Sequence, residues 1–252
     1  MRACLVKTRR ILGLLGLAAI AACHAPLRTP PTWTDARQMI LVTTADWDAN
    51  HGRLRRYERD ARGWHAAGDG FDVAIGRNGA AWGVGLHEAQ AGPRKQEGDG
   101  RSPAGVFALG TAFGYAGSAR TAWPYAAMTA EHWCVDVDGS PLYNRIVDAR
   151  EVGADAVAGS TEPMRRDLHA DGDVRYELGL VVEHNPRNRR GDGSCIFAHL
   201  WRTPGEATAG CTAMARADMQ ALLAWLRPDE HPVFVLLPEA EYARLREAWR
   251  LP

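Results

Sequence analysis

Along most of this chain, apolar residues come in short alternating or clustered runs. Only two stretches, both near the C-terminal end, repeat with helical spacing. Gln38–Trp47 (QMILVTTADW) reads as a strand, followed by a turn over Asp48–Leu54 and a second short strand around Arg55–Asp60. Trp64–Leu86 adds two or three short runs, broken by Gly68-Asp69-Gly70 and Asn78-Gly79, which are hairpin signals. Tyr176–Asn185 and Cys195–Trp201 are rich in apolar and β-branched residues, and Pro232–Pro238 (PVFVLLP) is a buried-strand run. Met214, Met219, Leu222, Leu223 and Leu226 recur at helical spacing until Pro228 stops them, and Glu239–Arg250 predicts a short terminal helix. Between the strands, Arg150–Asp173 reads as loop or irregular helix, a connection long enough to suggest a function. Many short strands with few helices predict a mostly β domain.

The first residues form a different pattern. Arg2, Lys7, Arg9 and Arg10 precede an uncharged apolar run from Ile11 to Ala22. That is a basic segment and an apolar core too short for a permanent membrane helix. The run ends Ile20-Ala21-Ala22-Cys23, which resembles a bacterial lipobox with Cys23 as the lipidated residue. An ordinary signal peptide with a chance cysteine is the competing reading. His24 rather than aspartate follows, which by the same resemblance favours the outer membrane. The expected layout is a signal peptide over residues 1–22, a Pro-rich lipidated tether over 23–37, the main domain over 38–238 and a terminal helix over 239–252. The expected location is the periplasm, lipid-anchored at the outer membrane.

Charge changes this picture little. The whole chain has 30 basic and 30 acidic residues, and removal of the signal leaves 26 against 30, a formal charge of −4. Nothing in that balance suggests nucleic acid as a partner. After cleavage the cysteines are Cys23, Cys134, Cys195 and Cys211. If Cys23 carries lipid, three thiols remain in an oxidising space, and the economical assignment pairs Cys134 with Cys195 and leaves Cys211 free.

A free thiol there needs a chemical reason. Strand alternation sets Cys195, Phe197, His199 and Trp201 on one face, and Cys211 follows twelve residues after His199 within Thr208-Ala209-Gly210-Cys211-Thr212. A strand-end histidine can take the proton of a thiol delivered by the next loop. Gly210 would let the backbone turn so that amides of Gly210, Cys211 and Thr212 face an oxyanion. A helix starting near Ala215 would lower the thiol pKa further. By themselves a histidine and a cysteine at this spacing also fit a core histidine and a small buried thiol. The order His-then-Cys excludes papain-like peptidases, because the only later histidine, His231, sits in a Pro-flanked loop. There is no Gly-x-Ser-x-Gly elbow, no His-Glu-x-x-His and no Cys-x-x-Cys, so serine-hydrolase and metal chemistry lack their residues, and no metal or other cofactor is expected.

Four stretches in order resemble the L,D-transpeptidases with a YkuD-type catalytic domain. They are Lys95–Gly110 (KQEGDGRSPAGVFALG), Trp133–Asp148 (WCVDVDGSPLYNRIVD), Gly191–Trp201 (GDGSCIFAHLW) and Thr208–Met214 (TAGCTAM). The resemblance implies a β-sandwich or barrel with a few short helices. It implies a cysteine acyl-enzyme on peptidoglycan stem peptides, with Cys211 as nucleophile and His199 as base. It also implies substrate contacts from Trp201, Thr208, Tyr143 and Asn144. Resolution by an amine would make a cross-link, resolution by water would make an L,D-carboxypeptidase, and a fold kept for binding alone would need neither. Asp136, Asp138 and Asp148 read as a solvated face. Two departures stand out: Ala209 replaces the family's histidine before Gly-Cys, and Thr212 and Ala213 replace its later polar residues. With a short His199–Cys211 loop, they predict an open, less polar cleft beside the thiol.

Overall fold

A computed structural model describes residues 32–252, so the signal peptide, Cys23 and most of the expected tether lie outside the described residues. The strands are β1 (Gln38–Thr44), β2 (His51–Asp60), β3 (Gly63–Ala66), β4 (Phe71–Ala74), β5 (Ala80–Trp82), β6 (Ser102–Gly114) and β7 (Tyr125–Ala127). They continue with β8 (His132–Cys134), β9 (Ile146–Asp148), β10 (Glu162–Pro163), β11 (Leu178–Val182), β12 (Phe197–Leu200), β13 (Thr212–Met214) and β14 (Val233–Pro238). The helices are α1 (Ala149–Val152), α2 (Arg166–His169), α3 (Arg216–Trp225) and α4 (Glu239–Leu245).

The pairings run β1-β14-β6-β11-β12-β13-β4-β2, and β2 pairs back to β1, so the sheet closes into a barrel. Closure removes the free edges that an open sheet would leave. The apolar runs explain it: β14 is buried at every position and lies parallel to β1 and antiparallel to β6. Its core neighbours include Ile40, Val42, Val106 and Phe107. The mostly β barrel predicted from the sequence is the fold observed.

Several local expectations change. Gly68-Asp69-Gly70 and Asn78-Gly79 do not make hairpins. Strands β3 and β4 both pair with β2, and β5 instead runs parallel to β6. The hairpin is β2–β3, closed by Ala61-Arg62 with Asp60 opposite Gly63. The helical repeat begins later than its spacing suggests: Met214 is the last residue of β13, and α3 starts at Arg216. The end of the expected tether is not loose, because Trp33 and Ala36 are buried in the main core. The Trp33 ring meets Trp249 edge-on at 5.5 Å. The terminal helix stops at Leu245, and the chain then turns to place Trp249 and Leu251 in that core.

A second, smaller sheet has the order β10-β8-β9. With α1 and α2 it accounts for the long middle segment. Its apolar side forms a second core, in which Met164, Tyr176, Phe113 and Phe197 surround Cys211 and the Cys134–Cys195 pair.

Candidate active site

The nucleophile turn is built between β12 and β13. These strands run parallel, with His199 opposite Ala213 and Ala198 opposite Thr212. Continuing that register puts Cys211 beside Phe197, and the Phe197 amide donates to Cys211 Sγ at 3.3 Å. Alternation then gives Cys211 and His199 the same face of the sheet, outside the barrel core that takes Ala198, Leu200 and Met214. Tyr176 covers this face, its ring edge-on to His199 at 5.3 Å and to Phe197 at 5.4 Å.

Two hydroxyls hold the turn. Ser102 Oγ accepts from the Gly76 amide at 2.9 Å and donates to the Gly210 carbonyl at 2.7 Å. Thr208 Oγ1 accepts from the Gly210 amide at 3.0 Å and donates to the Cys211 carbonyl at 2.7 Å. The Gly-Asp-Gly stretch delivers Ser102: Asp99 accepts from the Gln96 and Arg101 amides and pairs with the buried Lys95 at 2.6 Å. Gly98 and Gly100 take positive φ to make this turn. Gly210 is different. It does not take positive φ, but a Cβ there would stand a tight 3.1 Å from the Arg101 carbonyl, so glycine eases the close approach of the two chain segments. Sequence reasoning missed Ser102 as a site residue, although it lay inside a quoted motif. Its signal was a polar residue opening β6, a strand that is otherwise almost wholly apolar.

The imidazole is arranged as a base. His199 Nδ1 lies 2.7 Å from the Leu200 carbonyl, which can only accept, so Nδ1 carries the proton and Nε2 keeps its lone pair. Burial lowers the His199 pKa to about 4, leaving the ring neutral. The same burial, with Glu162 adding to it, pushes the Cys211 thiol up to about 12. The expectation of a lowered thiol pKa is therefore corrected: β13 separates Cys211 from the start of α3, and the sulfur sits among apolar side chains instead. No hydrogen bond joins Cys211 to His199 among the described residues. The thiol donates to the Cys195 carbonyl at 3.5 Å.

Other expected residues are placed as follows. Cys134 and Cys195 are joined, with Cα atoms 6.0 Å apart, and Cys211 is free. Cys195 stands before β12 with φ 54°, outside the strand alternation once assigned to it. Tyr143 is buried and donates to Glu97, so its hydroxyl is not open to substrate. Asn144 donates to the His184 and Asn185 carbonyls and accepts from the Cys195 amide at 2.9 Å, which makes it a joint between the small sheet and the β11–β12 connection. Thr208 is likewise consumed by the turn. The Gly210 amide is engaged by Thr208 and is not free for an oxyanion, while Thr212 lies in the β13 ladder. Trp201 follows β12, half-buried, with a buried Nε1 that has no hydrogen-bond partner among the described residues. His231 turns with φ 46° just before β14. Asp148 caps α1 by accepting from the Arg150 amide, Asp136 binds Thr161 and Asp138 pairs with Arg190.

The open cleft expected beside the thiol is not what the fold presents. Cys211 is 9% exposed and His199 2%, because Tyr176, just after the middle segment, covers this face and Met164 of that segment shares the second core with the thiol. That segment is tied down by Arg166, which bonds Glu162 at 3.2 Å and Asp173 at 2.9 Å, and by the Tyr176 hydroxyl on Glu162 at 2.8 Å. A cavity of about 540 Å³ lies next door, and Cys195 and Phe197 form part of its wall. Among the described residues, no cluster of three or more His, Cys, Asp or Glu side chains is placed to hold a metal.

The family model described as the L,D-transpeptidase catalytic domain, YkuD, matches residues 43–235. No curated protein matches the chain significantly. Among solved structures, that of Bdellovibrio bacteriovorus Bd1075 is similar at 12% identity with a TM-score of 0.40. The alignment covers 85% of this chain and 55% of that one, so the chain spans about half the length of this relative.

Proposed function

Given that this chain belongs to the YkuD family of L,D-transpeptidase catalytic domains, we propose that it acts on peptidoglycan stem peptides through a cysteine acyl-enzyme at Cys211. The observation that carries the proposal is the pairing of a free thiol with an imidazole of fixed tautomer on the same sheet face. In the resting site both groups are neutral, and the thiol is satisfied by backbone. Substrate entry would displace the thiol from the Cys195 carbonyl and turn it toward Nε2 of His199. Nε2 takes the proton as Sγ attacks the carbonyl of the L-centred residue. The imidazolium then returns the proton to the leaving D-amino acid. The Leu200 carbonyl keeps Nδ1 donating throughout, which favours the imidazolium once formed. An amine from a second stem resolves the acyl-enzyme into a cross-link, and water resolves it into a shortened stem.

The experiment is incubation with disaccharide tetrapeptides, followed by mass spectrometry of the protein and the products. The reading expects a covalent adduct on Cys211, lost in Cys211→Ala, and turnover reduced at least about 10²-fold in His199→Gln. Products without an adduct, or full activity of Cys211→Ala, would refute the thiol mechanism. Binding without turnover would favour a cell-wall binding role.

We also propose that Cys23 is lipidated and that the domain works in the periplasm from the outer membrane. Support comes from the basic and apolar N-terminal segment and the Ala21-Ala22-Cys23 sequence. Loss of metabolic palmitate labelling in Cys23→Ser tests it, and unlabelled wild-type protein refutes it.

A further inference from the structure

The 540 Å³ cavity beside the nucleophile strand has one apolar side and two isolated charges. Phe113, Met128, Phe197 and the Cys134–Cys195 bridge supply the apolar side. The polar lining is mostly consumed. His184 donates Nε2 to the Asp192 carbonyl and accepts from the Val84 amide at Nδ1. Asn144 is saturated, and His132 Nδ1 takes the Thr129 amide. Two charged groups are left over. The half-buried Glu183 carboxylate accepts no hydrogen bond and joins no ion pair among the described residues, although burial raises its pKa with nothing nearby to offset it. The exposed Arg145 guanidinium, which also lines the cavity, has no side-chain partner among the described residues either. The two do not pair with each other.

An acid and a base left apart on one apolar cavity select their ligand. A simple anion meets Glu183, a simple cation meets Arg145, and an uncharged ligand leaves both unpaired in a partly desolvated space. A molecule with an ammonium and a carboxylate on an apolar stem satisfies both. We propose that this cavity is a binding subsite for a zwitterionic amino-acid group, with Glu183 taking the ammonium and Arg145 the carboxylate. A bound ammonium has no lone pair, so the group held here is a non-reacting end of the substrate rather than the attacking amine. Its value to the reaction lies in position: Cys195 and Phe197, which line the cavity, are also the residues whose backbone holds Cys211 Sγ. That role in catalysis rests on the acyl-transfer reading above, whereas the binding itself does not.

The test uses norleucine, N-acetylnorleucine (no ammonium) and norleucinamide (no carboxylate), titrated by NMR into the wild-type protein, Glu183→Gln and Arg145→Gln. Both substitutions lie at the cavity rim, and thermal melts check that the variants remain folded. Norleucine should bind with a Kd on the order of 1 mM, weakened about tenfold or more by either substitution, as expected for losing a charge-assisted pair. Binding of N-acetylnorleucine should not respond to Glu183→Gln, nor that of norleucinamide to Arg145→Gln. Failure of norleucine to bind, or equal binding by all three proteins, overturns the subsite. In turnover assays the two variants should raise KM with kcat retained, as expected when a non-reacting end of the substrate loses its binding contacts, and a fall in kcat alone overturns that role. If the protein proves not to turn over stem peptides, the binding results stand on their own.

Discussion

The chemical state of Cys211 gives the most direct test of how this site works. A thiol with its pKa near 12 is about 10⁻⁴ thiolate at pH 8, whereas an unperturbed cysteine is about one quarter thiolate there. Alkylation proceeds through the thiolate, so native Cys211 should react with iodoacetamide at least about 10³-fold more slowly than in urea-unfolded protein with the Cys134–Cys195 bridge intact. The rate is read at Cys211 by peptide mapping from pH 5 to 10. Its logarithm should rise with unit slope across that range, without a plateau, because nothing in the resting site traps the thiolate. His199→Gln should leave this profile unchanged while abolishing turnover, since no hydrogen bond joins the two side chains before substrate enters. A plateau below pH 7, lost in His199→Gln, would mean that a thiolate–imidazolium pair already exists, and the neutral resting site would be wrong.

Further outcomes follow from the same geometry. Burial holds His199 near pKa 4 against about 6.5 when unfolded, so the unfolded state binds the extra proton first and stability falls as pH drops from 6.5 toward 4. Between pH 7 and 5 this amounts to about 2 kcal/mol, and urea titrations should show His199→Gln losing less stability than wild type over that interval. An equal acid loss in both would contradict a buried neutral ring. Ser102→Ala leaves the Gly76 amide and Gly210 carbonyl without their shared hydroxyl and should cost roughly 1–3 kcal/mol in chemical denaturation, with slower acylation of Cys211. Unchanged acylation in that variant would show that the turn is held by other contacts. Cys134 and Cys195 close a loop of 61 residues, so removing the bridge should cost about 4 kcal/mol. A loss under about 1 kcal/mol would mean that the loop is already constrained in the unfolded chain.

The sequence carried the barrel and the two candidate reacting residues for different reasons. Strands such as Pro232–Pro238 announce themselves because every position is apolar, and burial on both faces requires that. His199 and Cys211 were legible because they fall within two of the four ordered stretches that resemble the YkuD-type domain, not because of their spacing alone. The state of the thiol was not legible. It depends on Tyr176 and Met164 packing over the sulfur from a segment more than thirty residues upstream, and no local pattern marks that contact. The internal bonds of Tyr143 and Asn144 were not legible for a related reason. A hydroxyl and an amide look alike in sequence whether they face substrate or a neighbouring carboxylate and two backbone carbonyls. Met214 joined a helical repeat by spacing alone, but the parallel pairing with Leu200 claims it for β13.

The position of β14 has a consequence for how the chain reaches this state. β14 lies between β1 and β6, and Met39 is opposite Val233 across nearly two hundred residues. The first strand therefore has no lasting partner on that side until almost the whole chain is available, and loop closure over that span must precede the contacts that reward it. A nascent or truncated chain ending before Val233 keeps the β2 pairing with β1 but leaves β1 and β6 with facing unpaired edges lined by Ile40, Val42, Val106 and Phe107. Such a chain is a template for pairing with its own copies, not a smaller version of the protein. Completion of the last strand, rather than assembly around the nucleophile, is thus the event that separates folding from aggregation here.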